Sequence, residues 1–269
     1  PVLLMYVIMD ENAVVEFPGM PETLPVQVVK LVETTSTNDF LKHCPMPDGV
    51  AMLVATAQHQ TAGRGQGTNK WESEWGRNLL FSLLVKPVMV PVAQQFVLSM
   101  AGALALKEAL CRYADGFTLK WPNDIYWQNR KISGTLIETS VSGHTLSRCI
   151  FGSGININQQ KFRSDAPNPV SLCHIIGRET PTEEVLDAVL KAFCKYYAMV
   201  AEGRYDEVAH LYHASLYRRA GMHEYRDAGG RFMARIDEVG LDGRLHLSLS
   251  DGSHRSYAFK EVAFVLPEE

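Results

Sequence analysis

The chain has 269 residues, a formal net charge of −4, 46% hydrophobic and 21% charged residues, which suits one large globular domain or a domain with a small appendage. No apolar run approaches the ~18–20 residues that span a bilayer, and an acidic balance argues against general nucleic-acid affinity. The five cysteines (Cys44, Cys111, Cys149, Cys173, Cys194) are scattered without a C-x-x-C pair, so neither a zinc site nor a disulfide framework is indicated; reduced, cytoplasmic thiols are expected.

The N-terminal PVLLMYVIMDE lacks a basic leader and reads as an edge strand. Val26 to Val32 reads as a strand, followed by a short helix at Ser36-Thr37-Asn38-Asp39. There Ser36 and Asp39 make a capping-box pattern ahead of Phe40 and Leu41, expected to be buried. Ala51 to Ala57 is a small apolar strand that leads into TAGRGQGTNKW, and Leu79 to Val85 is a buried strand closed by Pro87. From about Pro91 to Arg112, apolar residues recur at helical spacing and predict a core helix.

Three strands follow at Phe117–Trp121, Ile132–Thr139 and Ser147–Asn158, joined by turns at Pro122-Asn123-Asp124 and Ser142-Gly143. Thr180-Pro181-Thr182-Glu183 opens a second helix, capped by Thr180 and expected to run to Gly203. Tyr196, Tyr197, Tyr205 and Tyr212 read as packing residues. His210 and His213, three apart on a helix, read as a solvated face, since no third metal ligand is apparent. Beyond about Ala220 the texture changes to short alternating runs broken by Gly229-Gly230, Asp242-Gly243 and Asp251-Gly252, a hairpin signature. The expected fold is therefore α+β. A mixed sheet packed with helices occupies residues 1–219, and a small β-barrel occupies 220–269.

Three stretches carry chemistry. TAGRGQGTNKW puts Gly63, Arg64, Gly65, Gln66, Gly67, Lys70 and Trp71 in one loop. It matches neither the P-loop nor the dinucleotide fingerprint, and its local positive charge suits a small anion. In KWPNDIYWQNRKISG, Lys120 ends a strand, Pro122 forces a turn that presents Asn123 and Asp124, and Lys131 opens the next strand ahead of Gly134. Trp121 between them should be an anchor. In IFGSGININ, Gly152 and Gly154 mark a bulge or a close backbone approach. Asn156 needs a hydrogen-bond partner, either a ligand or the backbone.

Together, GRGQGTNKW, KWPNDIYWQNRKISG and GSGININ resemble the biotin protein ligases in order and spacing, as do STND and AQHQTAGRG, over nearly the whole chain. Two departures stand out: no room for the helix-turn-helix of the family's repressor members, and Gln66 and Gly67 where some relatives place further arginines. The resemblance implies a fold related to class II synthetase catalytic domains. It also implies an ATP-dependent reaction that activates biotin to its adenylate and then transfers it to a lysine of a biotin carboxyl carrier protein. ATP, biotin and Mg²⁺ are the implied ligands, with no DNA or membrane partner and a homodimer as one possible state.

The ureido head of biotin asks for short polar groups on a fixed element, which Ser36, Thr37 and Asn38 with Gln60 supply. The reacting carboxylate and α-phosphate repel and need preplaced cations. Arg64, flanked by Gly63 and Gly65, can fork onto their oxygens, and Lys131 bridges the two. Lys120 and, if its partner is a ligand, Asn156 are expected to hold other phosphate oxygens. Asp124 is expected to orient the acceptor ammonium and take its proton, the alternative being that it only caps the turn. Gln66, Trp71, Asn123 and Gly134 complete the expected binding set, with no protein ligand named for a metal. The rival readings are a lipoate or octanoate ligase or transferase of the same superfamily, and a nucleic-acid-binding module.

Overall fold

A computed structural model describes residues 8–10, 25–163 and 168–266. Most of the N-terminal segment expected as an edge strand lies outside these residues, and only its end, β1 (Ile8–Asp10), is seen, paired at the sheet edge. The first sheet is built from β1, β2 (Val26–Thr34), β3 (Met52–Gln60), β4 (Leu79–Val85), β5 (Phe117–Lys120), β6 (Asp124–Trp127), β7 (Arg130–Ser142) and β8 (Thr145–Ile155). They lie in the order β1-β2-β3-β4-β8-β7-β6-β5. Only β2 and β3 run parallel, because the short helix α1 (Thr37–Lys42) carries the chain back between them.

The sheet has two unlike faces. Alternate residues of β4, Leu79, Phe81, Leu83 and Val85, point into the larger core beneath α2 (Phe96–Leu110), α4 (Thr182–Ala201) and α5 (Tyr205–Ala214). The helix α2 is apolar nearly all round, as a helix between a sheet and other helices must be. The opposite face packs a smaller cluster, with Leu31, Leu41, Ala55, Leu84 and Ile150, under α1. Ser82, Leu136, Glu138 and Gly152 share this face by register. The helical layer thus leaves one half of the sheet free for a site.

Several boundaries differ from the sequence expectation. The strand β6 fills what reads as a loop, so Asp124 opens a strand of its own between β5 and β7. The first residue of α4 is Thr182, with Pro181 as its cap; Thr180 is held instead by Asn158, whose Nδ2 donates to Thr180 O at 2.8 Å and whose Oδ1 accepts the Thr180 N–H at 3.0 Å. That helix ends at Ala201, and Gly203 turns the chain at φ +74°. Phe40 is only half-buried, whereas Leu41 is buried.

A second antiparallel sheet stands where the small barrel is expected. Its strands β9 (His223–Asp227), β10 (Gly230–Val239), β11 (Leu245–Leu249), β12 (His254–Tyr257) and β13 (Ala263–Phe264) pair in the order β12-β11-β10-β9-β13. It is docked on the first unit by specific bonds. Trp121, 2% exposed, donates its Nε1–H to Gly243 O at 3.0 Å, and Phe96 N–H reaches Leu241 O at 3.1 Å. His210 is exposed as expected, whereas His213 is half-buried and accepts the Val239 N–H on Nε2 at 2.9 Å, pinning α5 to β10.

Candidate active site

A cleft lies on the α1 face where the glycine loop, α1 and the β5–β8 end of the sheet converge. Its floor is made by glycine. β8 runs without a bulge at Gly152 and Gly154, and the groups that approach them are the protein's own. A Cβ on Gly152 would collide with the Asn38 carboxamide, and one on Gly154 with the Trp71 indole. Trp71 also covers Gly134, 3.1 Å from where its Cβ would lie. The glycines therefore let two side chains lie flat against the sheet.

The polar end is a fixed network. Asn38 donates from Nδ2 to Glu138 Oε2 at 2.8 Å, and its Oδ1 accepts from Ser82 Oγ at 2.5 Å. Gln60 Oε1 accepts from Thr37 N–H at 2.7 Å and lies 3.1 Å from Thr37 Oγ. The capping-box reading of Ser36 fails, because its side chain makes no cap hydrogen bond although the residue is buried and lines the cleft. A buried hydroxyl so placed is available to a ligand.

The other end is cationic. Lys131 Nζ pairs with Asp124 Oδ1 at 2.7 Å and sits 5.9 Å from the Trp71 ring centroid. Lys120 lies across the β5–β6 ladder from Asp124, its ammonium between the rings of Tyr126 at 5.1 Å and Phe264 at 4.9 Å. Burial pulls Lys120 below its ordinary value, with Asp124 opposing and Lys131 adding to the shift. Asn123 Nδ2 is bonded to Thr135 O, so its side chain is oriented by β7.

Arg64 is turned away from this end. Its Nη2 lies 2.9 Å from Glu138 Oε2 and 2.8 Å from Asp39 Oδ1. Burial raises the Glu138 carboxyl, but hydrogen bonds from Lys42, Asn38 and Arg64 outweigh it and hold the group below its ordinary value. The loop itself is more ordered than its glycines suggest: Gly65 N–H donates to Asn69 O at 2.8 Å and Trp71 N–H to Gly63 O at 3.0 Å.

Of the residues singled out in the sequence, Ser36, Thr37, Asn38, Gln60, Arg64, Gly65, Gln66, Trp71, Lys120, Asn123, Asp124, Lys131 and Gly134 line the cleft. Two do not. Gly63 packs beneath Trp71, and Asn156, past the end of β8, donates from Nδ2 to the backbone, Val170 O at 3.3 Å. Sequence reasoning missed Ser82, Glu138 and Phe259. A serine within LLFSLLV, 0% exposed, was the available signal for the first, since a buried hydroxyl needs a partner. Among the described residues no group of three His, Cys, Asp or Glu side chains is placed to hold a metal, and no helix is long and apolar enough to cross a membrane.

A model of the biotin/lipoate A/B protein ligase family matches residues 29–156. The chain is 33% identical over 178 residues to the biotin–[acetyl-CoA-carboxylase] ligase of Paracoccus denitrificans, covering 63% of this chain and 72% of that one. It is 26% identical to the bifunctional ligase/repressor BirA of Bacillus subtilis over 85% of this chain and 70% of that one. The structure of the Aquifex aeolicus biotin protein ligase in complex with biotin and ATP superposes with a TM-score of 0.73 at 26% identity, covering 89% of this chain and 99% of that one. By sequence and by fold, the chain belongs to the biotin protein ligases of the biotin/lipoate A/B protein ligase family.

Proposed function

We propose that the protein activates biotin with ATP and transfers it to a lysine of a biotin carboxyl carrier domain. The observation that carries this reading is the gradient along a single cleft. Short polar groups of α1 and Gln60 lie at one end, Trp71 and glycine backbone form the floor, and Lys131, Lys120 and Asp124 stand at the other. Biotin has the same order of parts: a ureido head, an apolar bicycle and chain, and a carboxylate.

In the first half-reaction a biotin carboxylate oxygen attacks the α-phosphorus of ATP, the bond to the bridging oxygen breaks, and pyrophosphate leaves. Lys131, beside Trp71, is placed to bridge the two approaching anions, and Lys120 to hold a phosphate oxygen. Arg64 joins them by leaving Glu138, as the incoming anions compete for its guanidinium. Mg²⁺ would enter with the triphosphate and neutralise part of its charge, and no residue of this chain is assigned to hold it. In the second half-reaction the carrier's ε-amine attacks the acyl carbon and AMP leaves. Asp124 receives the ammonium and accepts its proton. The net charge of −4 supports a protein rather than DNA as the macromolecular partner. We assign residues 1–219 to the catalytic unit and 220–269 to the small barrel.

Isotope exchange between pyrophosphate and ATP tests the assignment. Biotin should support exchange and lipoate should not; exchange with lipoate alone would overturn it.

A further inference from the structure

The loop between β12 and β13 brings the second sheet to the cleft. Phe259 forms part of the cleft wall, its ring 6.4 Å from that of Trp121. The next residue, Lys260, extends its ammonium onto the glycine loop. A Cβ on Gly67 would collide with Lys260 Nζ and lie 3.3 Å from its Cε.

This placement is imposed by the loop. Lys260 has φ +70°, a left-handed conformation that a residue with a Cβ keeps only where its surroundings over-determine it. Glu261, the acid beside it, is engaged elsewhere. Its Oε2 accepts the Ala258 N–H at 2.5 Å and faces Arg244 at 3.7 Å, while its own N–H donates to Ala258 O at 3.2 Å. Among the described residues no carboxylate pairs with Lys260. Next to Gly67, Gln66 has its Oε1 buried without a hydrogen-bond partner. An ammonium with no carboxylate partner, 5.7 Å from the Phe259 ring and held against a glycine turn at the rim of a cleft that also holds Lys70, Lys120 and Lys131, is an arrangement for a polyanion.

We propose that Lys260 is a nucleotide-binding residue supplied by the second sheet, and that it takes the β- and γ-phosphates of ATP laid along the glycine loop at Gly67. The proposal rests on the adenylation reading above. Lys131 is half-buried beside Asp124, at the carboxylate end; Lys260 is exposed at the rim, where the leaving group departs. As the bond from the α-phosphorus to its bridging oxygen breaks, pyrophosphate carries away the electron pair. Lys260 stabilises that charge without exchanging a proton.

Calorimetric binding of α,β-methylene-ATP, AMP and biotin to the full chain tests this without turnover. Lys260→Ala should weaken α,β-methylene-ATP by about tenfold or more, the effect of losing one charge-assisted hydrogen bond. AMP and biotin affinities should stay at the wild-type level. Lys260→Arg should retain tight binding, and Lys260→Met, which keeps the stem, should behave as Lys260→Ala. Wild-type affinity for the analogue in Lys260→Ala would overturn the proposal, and so would equal weakening of AMP and the analogue. The two readings fail separately. A wild-type protein that binds the analogue through Lys260 yet gives no biotin-dependent exchange refutes the biotin assignment and leaves the phosphate contact standing.

Discussion

Lys131 and Asp124 are 2.7 Å apart, so a substitution at either acts on both, and the pair must be taken apart by half-reaction. In the proposed role, Lys131→Ala removes a cation whose contact strengthens as charge develops. Adenylation should slow by about 10²–10³ with biotin affinity little changed, and a rate within about threefold of wild type would remove Lys131 from the chemistry. Asp124→Asn keeps an oxygen for Lys131 but loses the charge that attracts the acceptor ammonium. Transfer from preformed adenylate should therefore fall much further than adenylation. The defect should shrink as pH rises toward the free lysine value of ~10.4, and equal loss in both steps would place Asp124 with the nucleotide.

Lys120 makes a different prediction at the same scale. Its value is lowered in the fold by the loss of water around it, so the site disfavours the ammonium and weakens the fold at every pH below the ordinary lysine value. The penalty is relieved as pH rises through the lowered value toward the ordinary 10.5. Lys120→Met should thus raise the urea midpoint at neutral pH, with a smaller gain near the ordinary lysine value, while adenylation is crippled. An unchanged midpoint would show that the ammonium is adequately solvated where it sits. These three residues were legible because Pro122 and Trp121 announce a rigid turn. Glu138 was not, because an acid in a long strand gives no sign that it faces Arg64 and Asn38.

At the scale of elements, the strands and helices that carry strong apolar patterns were read from sequence within a few residues, and β4 at both ends. The strand β6 escaped. It has four residues, and its hairpin turns on Gln128-Asn129, with Gln128 at φ +52°, outside the usual Asn-Gly or Asp-Gly signature. The pair of glycines in β8 stands out in the sequence, yet its reason lies in α1 and the glycine loop, which sequence does not bring to the strand. That reason is testable. Gly152→Ala places a methyl where the Asn38 carboxamide lies, and Asn38 is held by Ser82 and Glu138, so it cannot move cheaply. Overpacking of this kind costs about 1–3 kcal/mol. If the strain falls on the polar end of the cleft, the KM for biotin should rise by about tenfold or more while that for ATP stays near wild type. A uniform loss of stability with both constants unchanged would mean that Asn38 supports the fold and not the ligand.

At the scale of the whole molecule, the change of texture near residue 220 falls just before the second sheet, which begins at His223, but nothing in the sequence shows that this sheet reaches the cleft. The contact runs through Trp121, which stands between Lys120 of the cleft and the second sheet, donates to Gly243 O, and carries Phe259 against its ring. Trp121→Phe keeps most of the buried apolar surface and removes the indole N–H. Leaving the Gly243 carbonyl without that donor should cost about 1–3 kcal/mol of stability, read from the denaturant midpoint. The smaller ring also withdraws support from Phe259 and with it from the loop at Lys260. The KM for ATP should therefore rise while biotin binding, which we assign to α1 and Gln60 at the far end of the cleft, is spared. A stability loss with an unchanged KM for ATP would make the second sheet a prop beneath the catalytic unit. A matched rise for ATP and biotin would mean instead that the damage travels through Lys120 and the β5–β6 turn.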